Sequence, residues 1–362
     1  MLSYNSVYQE RLALIADYFA QYQLYLGEVT QSKLEDWVQQ ELGHCEGAWQ
    51  NYPSVCHIIS GNTNHAGLQS VLRALIVGGK HRVKLPSQGA NEVEACLANL
   101  PLKLKEGLSW SRVWQQQWLD EADVVVAYGS DSTMKKITSQ LTESQKIVSH
   151  GHKVGLAYVD MTASDTKIEI HEIAQNLVKD VVAFNQQGCL SLQVVYVNAT
   201  DEMRQLLAQQ VAIEFNGVKQ STVSEASLDE GELAHINYAR EVFELKALVN
   251  LGKSQLWVSE FQDSVWTVAM DDTMIVDQLM GNCWLWIKPW NASINSESEF
   301  LEQTQLSQSH LSSLAIYPYH QKCINKFNYQ SLDRICQIGQ LQHPPLNWRP
   351  GNRATLLDLV IK

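Results

Sequence analysis

Short apolar runs that end in small or polar turns alternate with helical patterns, and this alternation constrains the chain more than any other feature. Cys56-His57-Ile58-Ile59-Ser60 runs into Gly61-Asn62. From Ala66 to Val77 the residues Leu68, Val71, Leu72, Leu75 and Ile76 then recur at helical spacing, until Gly78-Gly79 stops them. Arg82 to Pro86 reads as the next strand, followed by a helix over 90–99. The run ADVVVAY (122–128) meets Gly129-Ser130 and a helix over Ser132 to Leu141. Lys146 to Ser149 and Lys153 to Asp160 are further strands. Apolar strands separated by helices cannot pair as hairpins. They predict a doubly wound α/β layer with ligands at the carboxyl ends of its strands.

The flanking segments fit that reading. Leu12, Leu14, Ile15, Tyr18 and Phe19 predict a helix within the first ~25 residues, and a second runs from a Thr30 or Ser32 cap to Leu42. A helix over 166–178 leads to an apolar strand, Val181-Val182-Ala183-Phe184, then the turn Asn185 to Cys189 and a strand from Leu192 to Val197. Helices over 200–215 and 227–248 flank a second α/β region, and aromatic-rich strands fill 254–290. A Pro/Arg-rich turn, His343 to Arg353, precedes Leu356 to Ile361.

Composition removes several function classes. With 362 residues, 45% of them hydrophobic, the chain can bury two ordinary cores. Its 39 acids against 27 bases leave a net charge of −12, which speaks against general nucleic-acid binding. No apolar run approaches the roughly 20 residues of a membrane span. The start, Met1-Leu2-Ser3-Tyr4-Asn5, has no basic region followed by an apolar stretch, so no signal peptide is expected. Seven cysteines without CxxC spacing argue against a disulfide framework, a structural zinc site or any other metal centre. The expectation is a soluble, cytoplasmic protein.

Cys189 follows the polar turn NQQG and precedes a strand. A thiol there can face a cleft beside backbone N–H groups, which lowers its pKa and stabilises an oxyanion. A buried core cysteine is the competing reading. Gln186, Gln187, Gly188 and Ser191 weigh against it as non-core neighbours. The segment SGNTNHAG (60–67) leaves N–H groups at a helix N-terminus, where phosphate binds, or is an ordinary turn. Lys84 and Ser87 close the following strand, where a lysine reaches ribose or phosphate, or only solvent. Gly129 and Ser130 open another helix fit for a pyrophosphate, although no G-x-G-x-x-G is present.

Taken in order, Asn62, Lys84, Gly129-Ser130 and Cys189 resemble the aldehyde dehydrogenase superfamily. Within it the chain is most similar to the acyl-CoA reductase family of bioluminescence fatty-acid reductases (LuxC-like). The similar stretches are SGNTNHAGLQSVLRALIVGGKHRVKLPS (60–87), DVVVAYGSDSTMKKI (123–137), HGHKVGLAYVD (150–160), FNQQGCLSLQVVYV (184–197) and NWRPGNRATLLDLV (347–360). The resemblance implies an aldehyde dehydrogenase-like fold: a Rossmann-type cofactor domain over 1–160, an α/β catalytic domain over 161–340 and a C-terminal segment, 341–362. It implies that Cys189 attacks a fatty acyl thioester, on CoA or an acyl carrier, and that the acyl-enzyme is reduced to an aldehyde. Asn62 and the Cys189 N–H would hold the oxyanion. Lys84, Ser87, Gly129 and Ser130 would bind the nicotinamide cofactor. A homo-oligomer or a subunit of a biosynthetic complex is the expected assembly.

Two departures refine this. Hydrolytic relatives place a Glu where this chain has His150-Gly151-His152-Lys153; its loss suits a reductase that needs no deacylating water. His150 or His152 is then the acid–base candidate, or an ordinary turn residue. Ser87 and Gln88 stand where NAD-preferring relatives carry a carboxylate, so NADPH is expected over NADH. Two other readings stay open: a cysteine acyltransferase or thioesterase, and a non-catalytic scaffold of the same fold.

Overall fold

The structure is a computed structural model that describes residues 6–43, 53–62, 64–162, 169–218, 228, 230–249, 253–259, 265–276 and 278–360. The chain divides into two compact units, 1–152 with 343–362, and 153–342.

The first unit carries five parallel strands: β1 (Ser54–Ile58), β2 (Lys80–Lys84), β3 (Leu108–Ser111), β4 (Val124–Tyr128) and β5 (Lys146–His150), in the order β3-β2-β1-β4-β5. Because β1 and β4 are buried on both faces, they read as continuous apolar runs. One face packs under the helices Ser6–Phe19, Gln31–Leu42 and Asn64–Val77, through Phe19, Trp37, Leu68 and Leu72 among others. On the other lie Cys56, Leu119, Val125, Met134 and Ile137. The chain crosses over between β1 and β4, and at such a point the loops after adjacent strands diverge and leave a crevice.

The second unit carries seven strands: β6 (Val154–Asp160), β7 (Leu192–Asn198), β8 (Gln255–Val258), β9 (Thr267–Met270), β10 (Trp284–Pro289), β11 (Leu311–Tyr317) and β12 (Arg334–Gln337). Their order is β12-β11-β6-β7-β10-β9-β8, all parallel except β8 against β9. Strand periodicity sorts side chains by face. Val195 and Val197 join Leu177, Leu207 and Phe215 below the sheet, while Val194 and Tyr196 join Trp284, Trp290 and Phe327 above it.

Three expectations need correction. A first domain ending at 160 would include Lys153–Asp160, but β6 pairs with β7 and β11, so the division falls after His152. The expected C-terminal segment 341–362 does not stand apart: Leu341 and Gln342 stay with the second unit. Residues 343–362 return to the first unit, where buried Glu41 accepts the Leu356 N–H at 2.6 Å and Lys146 pairs with Asp358 at 2.8 Å. Val181–Phe184 is not a strand: the helix Ile170–Val182 runs on into a 3-10 turn, Ala183–Gln186, and a four-residue apolar run cannot distinguish the two.

Candidate active site

Cys189 sits at the tip of the turn between the helix Ile170–Val182 and β7. Of the six cysteines described it alone is exposed; Cys56, Cys96, Cys283, Cys323 and Cys336 are buried, and Cys45 lies outside the described residues. The turn is built against local preference. Phe184, Asn185 and Gln186 have φ of 56°, 52° and 58°, three successive left-handed conformations without a glycine. Each costs on the order of 1 kcal/mol, so tertiary bonds must hold them. Gln186 provides such bonds. Its carboxamide accepts the Trp284 N–H at 2.9 Å and donates to the Trp284 and Leu192 carbonyls at 2.8 and 2.6 Å. Gln186 and Ser191 are both buried, which corrects their reading as non-core residues: Gln186 ties the turn to β7 and β10, and Ser191 bonds Gly188 and Gln342.

The electrostatics of Cys189 also differ from expectation. Although the residue is exposed, desolvation of the thiol by the surrounding protein pushes its pKa up to about 11, and Asp333 adds to the rise. Its own backbone N–H and Lys153 counter this without overcoming it. A turn beside N–H groups therefore does not by itself lower a thiol pKa here. The protein around the sulfur, and not the turn alone, sets the cost of charge.

The remaining expected residues belong to the first unit: Asn62, Lys84 and Ser87 lie at the ends of the adjacent strands β1 and β2, and Gly129 and Ser130 follow β4. Asn62 lies on the loop after β1, exposed and without a hydrogen bond to another described residue. Two residues on, the Asn64 Oδ1 is buried and unpartnered, and the helix Asn64–Val77 has no acid in its first turn. Lys84 ends β2, half-buried, with its Nζ on the Leu85 carbonyl; desolvation, then Arg112, draws its pKa below that of an ordinary lysine. Ser87 is exposed on the loop that follows. That loop meets the Asn62 loop backbone to backbone: a Cβ on Gly61 would lie 2.5 Å from the Gln88 carbonyl oxygen, and one on Gly89 would lie 2.4 Å from that of Gly61.

Gly129 and Ser130 fit a phosphate less well. The Gly129 N–H donates to the His150 carbonyl at 3.3 Å, and the Ser130 hydroxyl caps its helix by accepting the Thr133 N–H. Asp131 then places an acid in the first turn, against an anion. Its carboxylate accepts the backbone N–H of exposed His152 at 3.3 Å. The His150 ring stacks on Tyr128, with centroids 4.4 Å apart.

Arg112, directly after β3, escaped sequence reasoning because its strand is a short edge strand. It donates to the Pro86 and Gly89 carbonyls at 2.8 and 3.1 Å and to Asn91 and Glu94, so it shapes the loop beyond Lys84. The aromatic cluster around Trp290 is core. The space among Tyr158, Tyr196, Trp290, Phe300 and Phe327 amounts to about 10 Å³, room for one water. Among the described residues no group of three or more His, Cys, Asp or Glu side chains could hold a metal ion. No described helix is long and apolar enough to cross a membrane.

Comparison with known proteins decides the family. The model of the family described as "Acyl-CoA reductase (LuxC)" matches residues 26–347. The chain belongs to this family. Its curated relatives include long-chain acyl-protein thioester reductase 2 of Photobacterium leiognathi, 26% identical over 240 residues, which are 62% of this chain and 48% of that protein. The long-chain acyl-protein thioester reductase of Aliivibrio fischeri is 24% identical over 175 residues, 45% of this chain and 35% of that one. The matches thus span half or less of these relatives' length. Among solved structures, aldehyde dehydrogenase 21 of Physcomitrella patens, in complex with the reaction product succinate, aligns with a TM-score of 0.63 at 11% identity, over 97% of this chain and 84% of that one. An aldehyde dehydrogenase of Mycobacterium tuberculosis complexed with NAD+ aligns at 0.58 and 14%, over 94% and 78%. The fold is aldehyde dehydrogenase-like.

Proposed function

We propose that this chain reduces a fatty acyl thioester, on CoA or an acyl carrier, to the aldehyde through an acyl-Cys189 intermediate, with NADPH preferred over NADH. The observation that carries the reading is the exposed Cys189 on a strained, polar-anchored turn, in a chain whose family is named for acyl-CoA reduction. Cys189 lies in the second unit, and the expected cofactor residues Lys84 and Ser87 lie in the first.

The Cys189 thiol is neutral at rest and loses its proton as it attacks the acyl carbonyl carbon. Sulfur–carbon bond formation gives a tetrahedral oxyanion that the Cys189 N–H faces; its collapse expels the carrier thiol and leaves the acyl group on Cys189. When bound, a nicotinamide would supply the hydride, and with one proton from solvent the acyl-cysteine would yield aldehyde and free Cys189 thiol. Asn62, with its unengaged carboxamide, is the second oxyanion donor that the family resemblance implies. Lys84 and Ser87 would hold the adenosine ribose and its 2′-phosphate, with no carboxylate in the 84–88 stretch to repel it. Phosphates are better suited to the acid-free N-terminus at Asn64 than to Gly129-Ser130. His152 remains the acid–base candidate by its exposure.

One observation favours a second reading, a cysteine acyltransferase or thioesterase: the engaged Gly129 and Ser130 and the acid at Asp131 suit a chain that binds no nucleotide there. The two readings separate in one assay, in which NADPH oxidation, aldehyde and free CoA are followed with acyl-CoA substrates of increasing chain length. Aldehyde formed in step with NADPH loss, and abolished in Cys189→Ala with the fold intact, supports the reductase. Free CoA without NADPH loss at every chain length would establish the second reading.

A further inference from the structure

We propose that Gln342 and Ser191 are positioning residues that fix the geometry of the Cys189 turn from its far side. The inference rests on Cys189 being the acyl acceptor and goes beyond it by naming what holds that residue in place.

Gln186 anchors the approach to the turn, and the exit needs an anchor of its own. The Ser191 hydroxyl, fully buried, accepts the Gly188 N–H at 3.1 Å, while the Ser191 N–H donates to the Gly188 carbonyl at 3.0 Å. Cys189 lies inside this reciprocal clasp. The same hydroxyl accepts a second donor, the buried Gln342 carboxamide, at 3.0 Å. Packing is close enough that a Cβ on Gly188 would meet the Ser191 Oγ at 3.2 Å and the Gln342 Oε1 at 3.4 Å.

Gln342 is itself held. The buried Asp180 carboxylate accepts the Gly339 and Leu341 N–H groups at 2.6 and 2.9 Å, so the loop carrying Gln342 is pinned to the helix that leads into the turn. A long-range side chain thus closes the loop around the nucleophile, and the Gly188 N–H is spent on the clasp rather than free for an oxyanion. Misplacing a reacting sulfur by a fraction of an ångström slows attack without touching the cofactor.

The test uses Gln342→Met, which keeps the volume and removes the donor, and Ser191→Ala, which removes the acceptor. Acylation of Cys189 by palmitoyl-CoA without NADPH is timed by intact mass, and kcat and KM for NADPH are measured alongside. We expect acylation and kcat to fall on the order of ten- to a hundred-fold. The NADPH KM should stay within about two-fold, with wild-type thermal unfolding for at least Gln342→Met. Acylation of Gln342→Met at the wild-type rate overturns the positioning role even if Ser191→Ala does not fold. An equal loss in acylation and NADPH affinity also overturns it, since that is general destabilisation. A wild-type protein never acylated at Cys189, while still binding NADPH, overturns the underlying nucleophile assignment instead.

Discussion

Thiol–disulfide exchange with a dipyridyl disulfide reads the ionisation of Cys189 directly, because only the thiolate attacks. With a pKa of about 11, roughly one Cys189 in ten thousand is ionised at pH 7, against about three free cysteines in a hundred. The more basic thiolate is intrinsically the better nucleophile, and a Brønsted slope of about 0.4–0.5 restores roughly ten-fold. Exchange at pH 7 should therefore run about thirty-fold slower than for free cysteine and rise about ten-fold per pH unit to near pH 10. Peptide mapping assigns the label, since the other five described cysteines are buried. Asp333→Asn should speed exchange at neutral pH by removing a charge that raises the pKa, and Lys153→Met should slow it. Exchange at pH 7 as fast as that of free cysteine would refute the desolvation argument and restore the lowered pKa expected from the turn alone.

Lys84→Ala should raise KM for NADPH more than KM for acyl-CoA; equal changes in both would take Lys84 out of the cofactor site. Gly89→Ala should destabilise the first unit by roughly 2 kcal/mol or more in urea titrations, because it combines φ of 74° with a Cβ 2.4 Å from the Gly61 carbonyl oxygen; an unchanged midpoint would show that the two loops move apart freely. Acid should weaken the first unit selectively. His57 bridges Ser70 and His81 at 2.7 and 2.9 Å, His81 holds the Gly78 carbonyl at 2.7 Å, and burial lowers the pKa of His81 to about 4 and that of His57 well below its usual value. The unfolded chain then binds protons more tightly, so stability present above pH 6.5 is lost as pH falls toward 4, by about 2 kcal/mol at pH 5 for His81 alone. Asp180 in the second unit works oppositely, its pKa raised to about 7 by burial, so its carboxyl favours folding as pH falls from 7 toward 4. Peptide-resolved hydrogen exchange at pH 7 and 5 should show loosening at β1 and β2; uniform or absent loosening would contradict the neutral histidine chain.

Much of the frame can be read directly from residue order. Strands β1, β4, β6 and β7 are recognisable because parallel strands covered on both faces become apolar runs, and the helices between them follow from spacing; β2, Lys-His-Arg-Val-Lys, is placed by the glycine stop before it and Pro86 after it. Edge strands β3 (Leu108–Ser111) and β12 (Arg334–Gln337) lack that signature, since only part of each is covered. β11 is buried but interrupted by Ser312 and Ser313, one of which bonds Asp333, so its run does not look like a core strand.

Family membership and the candidate nucleophile lay in the local order of residues, because a turn motif such as Gln186-Gln187-Gly188-Cys189 carries its chemistry in adjacent positions. The tertiary structure decided where the units divide, the return of 343–362 to the first unit, and the state of the Cys189 thiol. It also revealed the bonds from Gln186, Ser191 and Gln342 that hold the turn. The physical reason is common to all of these. Backbone propensity and motif spacing are local, whereas desolvation and hydrogen-bond closure depend on groups such as Trp284, Asp333 and Gln342, which folding brings near Cys189 from about a hundred or more residues away.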